Sequence, residues 1–189
     1  EDVFVSWLPL YHDMGLICGM LLPFFCGRKL VLMSPRFFLE RPSRWLEMIS
    51  KYRGTFSGGP DFAYRLCVDR VRSRQLEKLD LSCWRAAFSG AEPVRAATLH
   101  DFAKHLAQTG LSPKTVGPCY GLAEATLLVT ASIMEEGFHV TPFSAEKLSE
   151  GKVVMYLEDA DNSCSQGSDE VVAYTDQVAC GSVIDEHKI

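Results

Sequence analysis

The chain has 189 residues, 47% of them hydrophobic and 23% charged, and a formal net charge of -5. That is enough for one α/β core, and it leaves no basic footprint for nucleic acid. Seven cysteines, at 18, 26, 67, 83, 119, 164 and 180, show no paired C-x-x-C spacing. Reduced cytosolic thiols are therefore expected, rather than a disulfide framework or a zinc site. The longest apolar run, residues 14–26, holds two glycines and a proline and has no basic segment in front of it. It is too short to span a bilayer and is not a signal peptide, so a cytoplasmic protein that is not integral to a membrane is expected.

Taken in chain order, residues 3–8 read as a strand, and because domains rarely open in mid-strand, further sequence is expected before Glu1. Residues 15–25 read as a buried helix and 29–33 as a short strand bounded by Gly27 and Pro35. Pro42 opens a helix with Trp45, Met48, Ile49 and Tyr52 on one face, ending near Gly54. Residues 55–57 form a strand running into Gly58-Gly59-Pro60. The helix that follows turns Phe62, Ala63, Leu66 and Cys67 to the core and Arg70, Arg72 and Arg74 to water. Next come a strand at 85–89, a helix over 95–108 that buries Leu99, Phe102, Ala103 and Leu106, and a strand at 115–119. Strands alternating with helices of this length predict an α/β fold, a parallel sheet with helices on both faces. After residue 135 the pattern weakens. Residues 136–170 read as a surface segment, and 171–174 as the start of a further strand within a last region, 171–189.

The chemistry sits just after the strands. Four segments follow successive strand ends: 9–13 (Pro-Leu-Tyr-His-Asp), 57–60 (Ser-Gly-Gly-Pro), 89–93 (Ser-Gly-Ala-Glu-Pro) and 120–124 (Tyr-Gly-Leu-Ala-Glu). In an open parallel sheet the carboxyl ends of the strands share an edge, and ligands bind in the crevice there. These segments are therefore expected to line one cleft. Gly58-Gly59 and Gly90-Ala91 would let a ligand approach the backbone, Tyr120 offers an aromatic face to a base, and Glu124 suits Mg²⁺. His12 and Asp13 put a titratable pair at the mouth. Plainer roles stand beside these. Gly-Gly-Pro is often only a turn, His12-Asp13 an N-cap, and Tyr120 a core residue. Glu92 either accepts from an exocyclic amine or caps the helix that begins after Pro93.

Four long segments carry a family resemblance: WLPLYHDMGL at 7–16, TFSGGPDFAYRLC at 55–67, LDLSCWRAAFSGAEPV at 79–94 and PCYGLAEATLLV at 118–129. In order and spacing they resemble the fatty acyl-AMP ligases, a branch of the adenylate-forming superfamily, over roughly residues 3–135. The resemblance implies that this is an internal piece of the large ATP-binding domain, acting on ATP, Mg²⁺ and a fatty acid. It implies an adenine-side loop of Gly90, Ala91 and Glu92, with adenine stacked on Tyr120. Gly121, Leu122 and Ala123 would pass near the α-phosphate and acyl carbonyl, and Glu124 would hold the magnesium. His12, with Asp13, would stand near the carboxylate, and Ser57, Gly58, Gly59, Pro60 and Phe62 would wall the acyl tunnel. The superfamily's usual threonine before the glutamate is Ala123 here, so no phosphate contact is assigned to it; Thr126 is the nearest hydroxyl.

The same resemblance implies transfer of the acyl group to the phosphopantetheine arm of an acyl carrier protein, with a CoA-forming synthetase or a non-catalytic binding module as alternatives. A serine hydrolase is a poor fourth reading, because neither Ser57 nor Ser89 lies in G-x-S-x-G. Residues 138–154 resemble the branch's inserted segment. The family's phosphate loop is expected before Glu1, and its ribose-binding aspartate and catalytic lysine after Ile189, so the 189-residue piece alone is expected to bind nucleotide weakly and not to turn over.

Overall fold

The computed structural model describes residues 1–134, 136–155 and 173–183. β1 (Val3–Ser6) leads through the 9–13 loop into a π-helix, Met14–Leu21, continued by the single turn α1 (Leu22–Phe25). β2 (Lys29–Leu32) follows, then α2 (Pro35–Glu40), which starts where Ser34 Oγ accepts from Phe37 N–H and Pro35 takes the first helical position. α3 (Ser43–Tyr52) ends on Arg53 in the left-handed region, φ 56°. β3 (Phe56–Gly59), α4 (Asp61–Arg70), the short α5 (Ser73–Leu76), β4 (Ala86–Ser89) and α6 (Ala96–Leu106) continue the alternation. β5 (Val116–Leu122) and β6 (Leu127–Ala131) are joined by a tight 3₁₀ turn, Ala123–Ala125. β7 (Val140–Ser144), α7 (Ala145–Ser149), β8 (Tyr174–Val178) and β9 (Ser182–Val183) complete the described elements.

The main sheet runs β2-β1-β3-β4-β5-β6-β9. Its first five strands are parallel, as the strand–helix alternation predicts. β6 and β9 are antiparallel, which the prediction missed. The cause is local: the turn between β5 and β6 is too short for a crossover, so the chain can only double back.

Period-2 alternation gives the sheet two different faces. Val5, Trp7, Ser57, Ala87 and Val116 point toward α3, α4 and α6, where the main core lies. Trp45 is fully buried at its centre, with ring contacts to Trp7, Phe38, Tyr64 and Trp84 at 5.2–6.0 Å. Its indole N–H donates to Ser57 Oγ at 2.8 Å, and that hydroxyl donates to Val5 O, so one polar chain pins α3 to β3 and β1. Phe4, Phe56 and Phe88 line the other face, with ring centroids 4.7 and 5.4 Å apart. The π-helix lies against this second face, and a Cβ on Gly19 would come within 2.6 Å of Ser6 Oγ.

Residues 15–25 correct the expectation of a buried helix. Gly15, Gly19 and Pro23 are buried, but Phe24 is 72% and Phe25 92% exposed. An apolar run with no clear periodicity does not reveal which of its sides meets the sheet. The second difference concerns 136–170. Its described part forms β7 and α7, and β7 pairs antiparallel with β8 in a separate two-stranded sheet. Phe138 and Val178 pack this unit onto the core, with the Phe138 ring 4.9 Å from His100 of α6. The strand expected at 171–174 is seen as β8, beginning at Tyr174; residues 171–172 and the polar stretch 162–170 lie outside the described residues.

Candidate active site

Parallel registers bring the four loops to a common edge. Phe4 pairs with Phe56, Gly59 with Ser89, and Ser89 with Pro118, so the chain leaves β1, β3, β4 and β5 on the same side. Below this rim, against the second face, is a cavity of about 320 Å³. His12, Asp13, Ala91 and Gly121 line it, together with Met14, Cys18, Phe56, Phe88, Gly117 and Cys119. Four residues expected to belong to one site, up to 109 positions apart, thus meet around one space.

Each rim loop is held by identifiable contacts. Met14 N–H donates to Asp13 Oδ1 at 2.7 Å, which makes Asp13 the cap of the π-helix. His12 Nδ1 lies 2.7 Å from the same oxygen and 3.3 Å from the Met14 nitrogen, so the imidazole, the carboxylate and the start of the π-helix are held in one cluster. Among the described residues, three of the four non-glycine positions with positive φ stand on this rim: Ala91 at 67°, Thr126 at 51° and Leu127 at 87°. For a β-branched residue such as Thr126 that conformation is strained, and strain of this kind concentrates where a site needs a fixed backbone.

The 89–95 loop is locked by reciprocal capping of two helices. Glu92 Oε1 accepts from the Phe62 N–H at the start of α4, at 2.6 Å. Asp61, buried in that same first turn, accepts from Arg95 N–H and from Thr98 Oγ1 at the start of α6, both at 3.0 Å. Glu92 therefore completes a helix terminus, although of α4 and not of the helix that follows it. Sequence reasoning missed Asp61; its signal was a carboxylate opening a helix right after Pro60. Phe62 and Glu92 border a second, charged hollow with Asp61, Arg65, Asp69 and Arg95.

Other predicted residues take different positions. Ser57 is buried on the α3 side with its hydroxyl fully engaged, so it does not reach the cavity. Glycine at 58 and 59 answers to packing rather than to ligand approach: a Cβ on Gly58 would strike the Phe88 carbonyl oxygen at 2.3 Å, and one on Gly59 the Trp7 indole at 2.6 Å. Pro60 sits immediately before α4. Gly90 packs on Cys119, and Gly121 on the Leu127 carbonyl. Tyr120 is 53% exposed, and Leu122, Ala123 and Glu124 lie open beside it on the lip. Among the described residues Glu124 makes no hydrogen bond or ion pair, so its carboxylate is free for a cation.

The cavity walls were the residues least visible in advance. Phe56, Phe88, Gly117 and Cys119 are alternate positions on β3, β4 and β5, and reading the period across strands would have grouped them. Burial pushes the Cys18 and Cys119 thiols up to about 12, with smaller contributions from Cys119 and Cys180 respectively. Both stay neutral at physiological pH and act as apolar wall. Among the described residues no group of three or more His, Cys, Asp or Glu side chains converges on a possible metal position, and no helix is long and apolar enough to cross a membrane.

A mostly parallel sheet whose carboxyl-edge loops roof an apolar cavity defines an α/β protein with a ligand crevice at its strand ends. The chain belongs to the AMP-binding enzyme family, whose sequence profile matches residues 1–171. It is 40% identical over 189 residues to the medium-chain-fatty-acid–[acyl-carrier-protein] ligase TtuA of Teredinibacter turnerae, covering 100% of this chain and 28% of that protein. Over 148 residues it is 43% identical to the long-chain-fatty-acid–AMP ligase FadD26 of Mycobacterium bovis, covering 78% of this chain and 25% of that protein. The crystal structure of the fatty acyl-adenylate ligase from L. pneumophila, in complex with acyl adenylate and pyrophosphate, superposes with a TM-score of 0.85 at 39% identity. That match covers 97% of this chain and 30% of the neighbour. The chain thus spans less than a third of the proteins it resembles.

Proposed function

We propose that this chain is the acid-binding and adenine-side part of an enzyme that converts a fatty acid and ATP to acyl-adenylate and pyrophosphate. The observation that carries this reading is the apolar cavity opening beside His12, Ala91 and Gly121, with the free carboxylate of Glu124 on the same rim. An aliphatic tail fits walls made of Phe56, Phe88 and two neutral thiols, and its burial contributes roughly 25 cal/mol per Å². The fatty carboxylate needs no base, because it is already a nucleophile at neutral pH. One of its oxygens bonds to the α-phosphorus while the bond from that phosphorus to the pyrophosphate oxygen breaks.

The protein's task is to hold two anions in line. A pair of unit charges about 4 Å apart repels by about 4 kcal/mol at an effective dielectric of about 20. His12, oriented by Asp13, stands at the cavity mouth to receive the carboxylate. The Ala91 and Thr126–Leu127 backbones, fixed in strained conformations, shape the nucleotide side, and Tyr120 supplies the exposed ring for adenine. Glu124 fits Mg²⁺ chemically, since that ion takes one or two carboxylates and fills its other positions with phosphate oxygens and water. When bound it would neutralise phosphate charge.

The names of two relatives, both ligases to an acyl carrier protein, support a carrier phosphopantetheine as acceptor; a putative fatty-acid–CoA ligase at 36% identity keeps CoA as the comparison. The abundance of reduced thiols agrees with a cytoplasmic setting. The test uses the full-length enzyme carrying this chain. Fatty-acid-dependent ATP–pyrophosphate exchange is expected, followed by acyl transfer to holo carrier protein in preference to CoA. Exchange that ignores the fatty acid would overturn the proposal, and preferential thioester formation with CoA would move the enzyme to the other branch.

A further inference from the structure

Most strand and rim glycines here have a neighbour in the space their side chain would occupy. Gly58 meets Phe88, Gly59 meets Trp7, Gly90 meets Cys119 and Gly121 meets the Leu127 carbonyl, all closer than 3.0 Å to an added Cβ. Gly117 is different. A Cβ there would touch only Ser132 Cβ, at 3.5 Å, an ordinary van der Waals distance, and its φ is not in the left-handed region. Glycine weakens a strand interior, so a glycine that no protein neighbour requires marks a place where something else approaches. Gly117 lines the cavity, on the same sheet face as its register partner Phe88.

Its position along the cavity is informative. Gly121 borders the rim beside His12 and Ala91, whereas Lys114, Thr115, Ile133 and Met134 line the far end. Gly117 lies between them, four residues of extended strand from Gly121, roughly 13 Å. From this placement we infer that Gly117 sets the bore of the acyl cavity and hence the longest acid the enzyme accepts. This rests on the fatty acid reading above and adds to it the residue that determines chain-length specificity. Short acids end before reaching Gly117; longer ones pass through the gap its missing side chain leaves beside Phe88.

The experiment compares the unsubstituted full-length enzyme with Gly117→Ala and Gly117→Leu, measuring ATP–pyrophosphate exchange over saturated acids from butanoate to octadecanoate. Gly117→Leu is expected to stay within about twofold of the unsubstituted enzyme on the shortest acids and to lose about tenfold or more on the longer ones in kcat/KM. Gly117→Ala, whose added methyl the fold accommodates, is expected to shift the profile in the same direction by less. Retained activity on short acids serves as the internal check on folding. An unmoved chain-length profile in both variants would overturn the inference while leaving the function intact. So would a fall in Gly117→Ala that is equal at every length. Absence of any fatty-acid-dependent exchange in the unsubstituted enzyme would defeat the functional reading and this inference with it.

Discussion

Glu124→Gln is expected to lower fatty-acid-dependent ATP–pyrophosphate exchange by about a hundredfold or more in the full-length enzyme, the scale of losing a preorganised charge contact to a reacting group. The substitution keeps size and shape and removes only the negative charge. Because Glu124 is exposed on the lip after β5 and has no partner among the described residues, its loss should move stability by no more than about 0.5 kcal/mol. Activity and stability therefore separate cleanly. Exchange near the unsubstituted rate, with a normal melting curve, would remove the metal role from this residue.

The second large effect is structural. Trp45→Ala should cost about 3–5 kcal/mol, the usual range for deleting a buried aromatic ring, against a total of about 5–15 kcal/mol for a typical domain. Trp45 is fully buried and packs on four other aromatic rings. Its removal also takes away the N–H that Ser57 accepts. Since Ser57 is bonded to β1, the damage reaches the strands that carry the rim loops. Chemical denaturation should show a large fall in midpoint. A loss below about 1 kcal/mol would mean that the aromatic cluster is not the centre of this fold.

These two residues mark what a sequence reader can and cannot see. Trp45 sits on a helix whose apolar positions recur with a 3.6-residue period, and its burial follows from that pattern alone. The convergence of the loops followed from strand–helix alternation and the handedness of crossovers, so His12, Ala91 and Gly121 could be grouped without coordinates. Glu92 could not be resolved, because its partner is the Phe62 N–H, a backbone group thirty residues away. Gly58 and Gly59 misled for a related reason. Bare glycine says that space is needed, and only the packing of Phe88 and Trp7 says what fills it. Gly117, which drew no notice in the sequence, lines the cavity and would meet only Ser132 Cβ, at an ordinary contact distance of 3.5 Å. The antiparallel return of β6 hid in a turn of three residues, where one strand reads much like another.

In the proposed enzyme one face of the sheet holds the acid while the rim above it holds the nucleotide. A crystal structure of the full-length enzyme with a non-hydrolysable acyl-adenylate analogue tests it most directly. The expected electron density runs from an adenine against the Tyr120 ring to a tail lying between Phe56, Phe88 and Cys119. A tail seated instead in the charged hollow beside Arg65 and Glu92, or on the α3 side of the sheet, would contradict it.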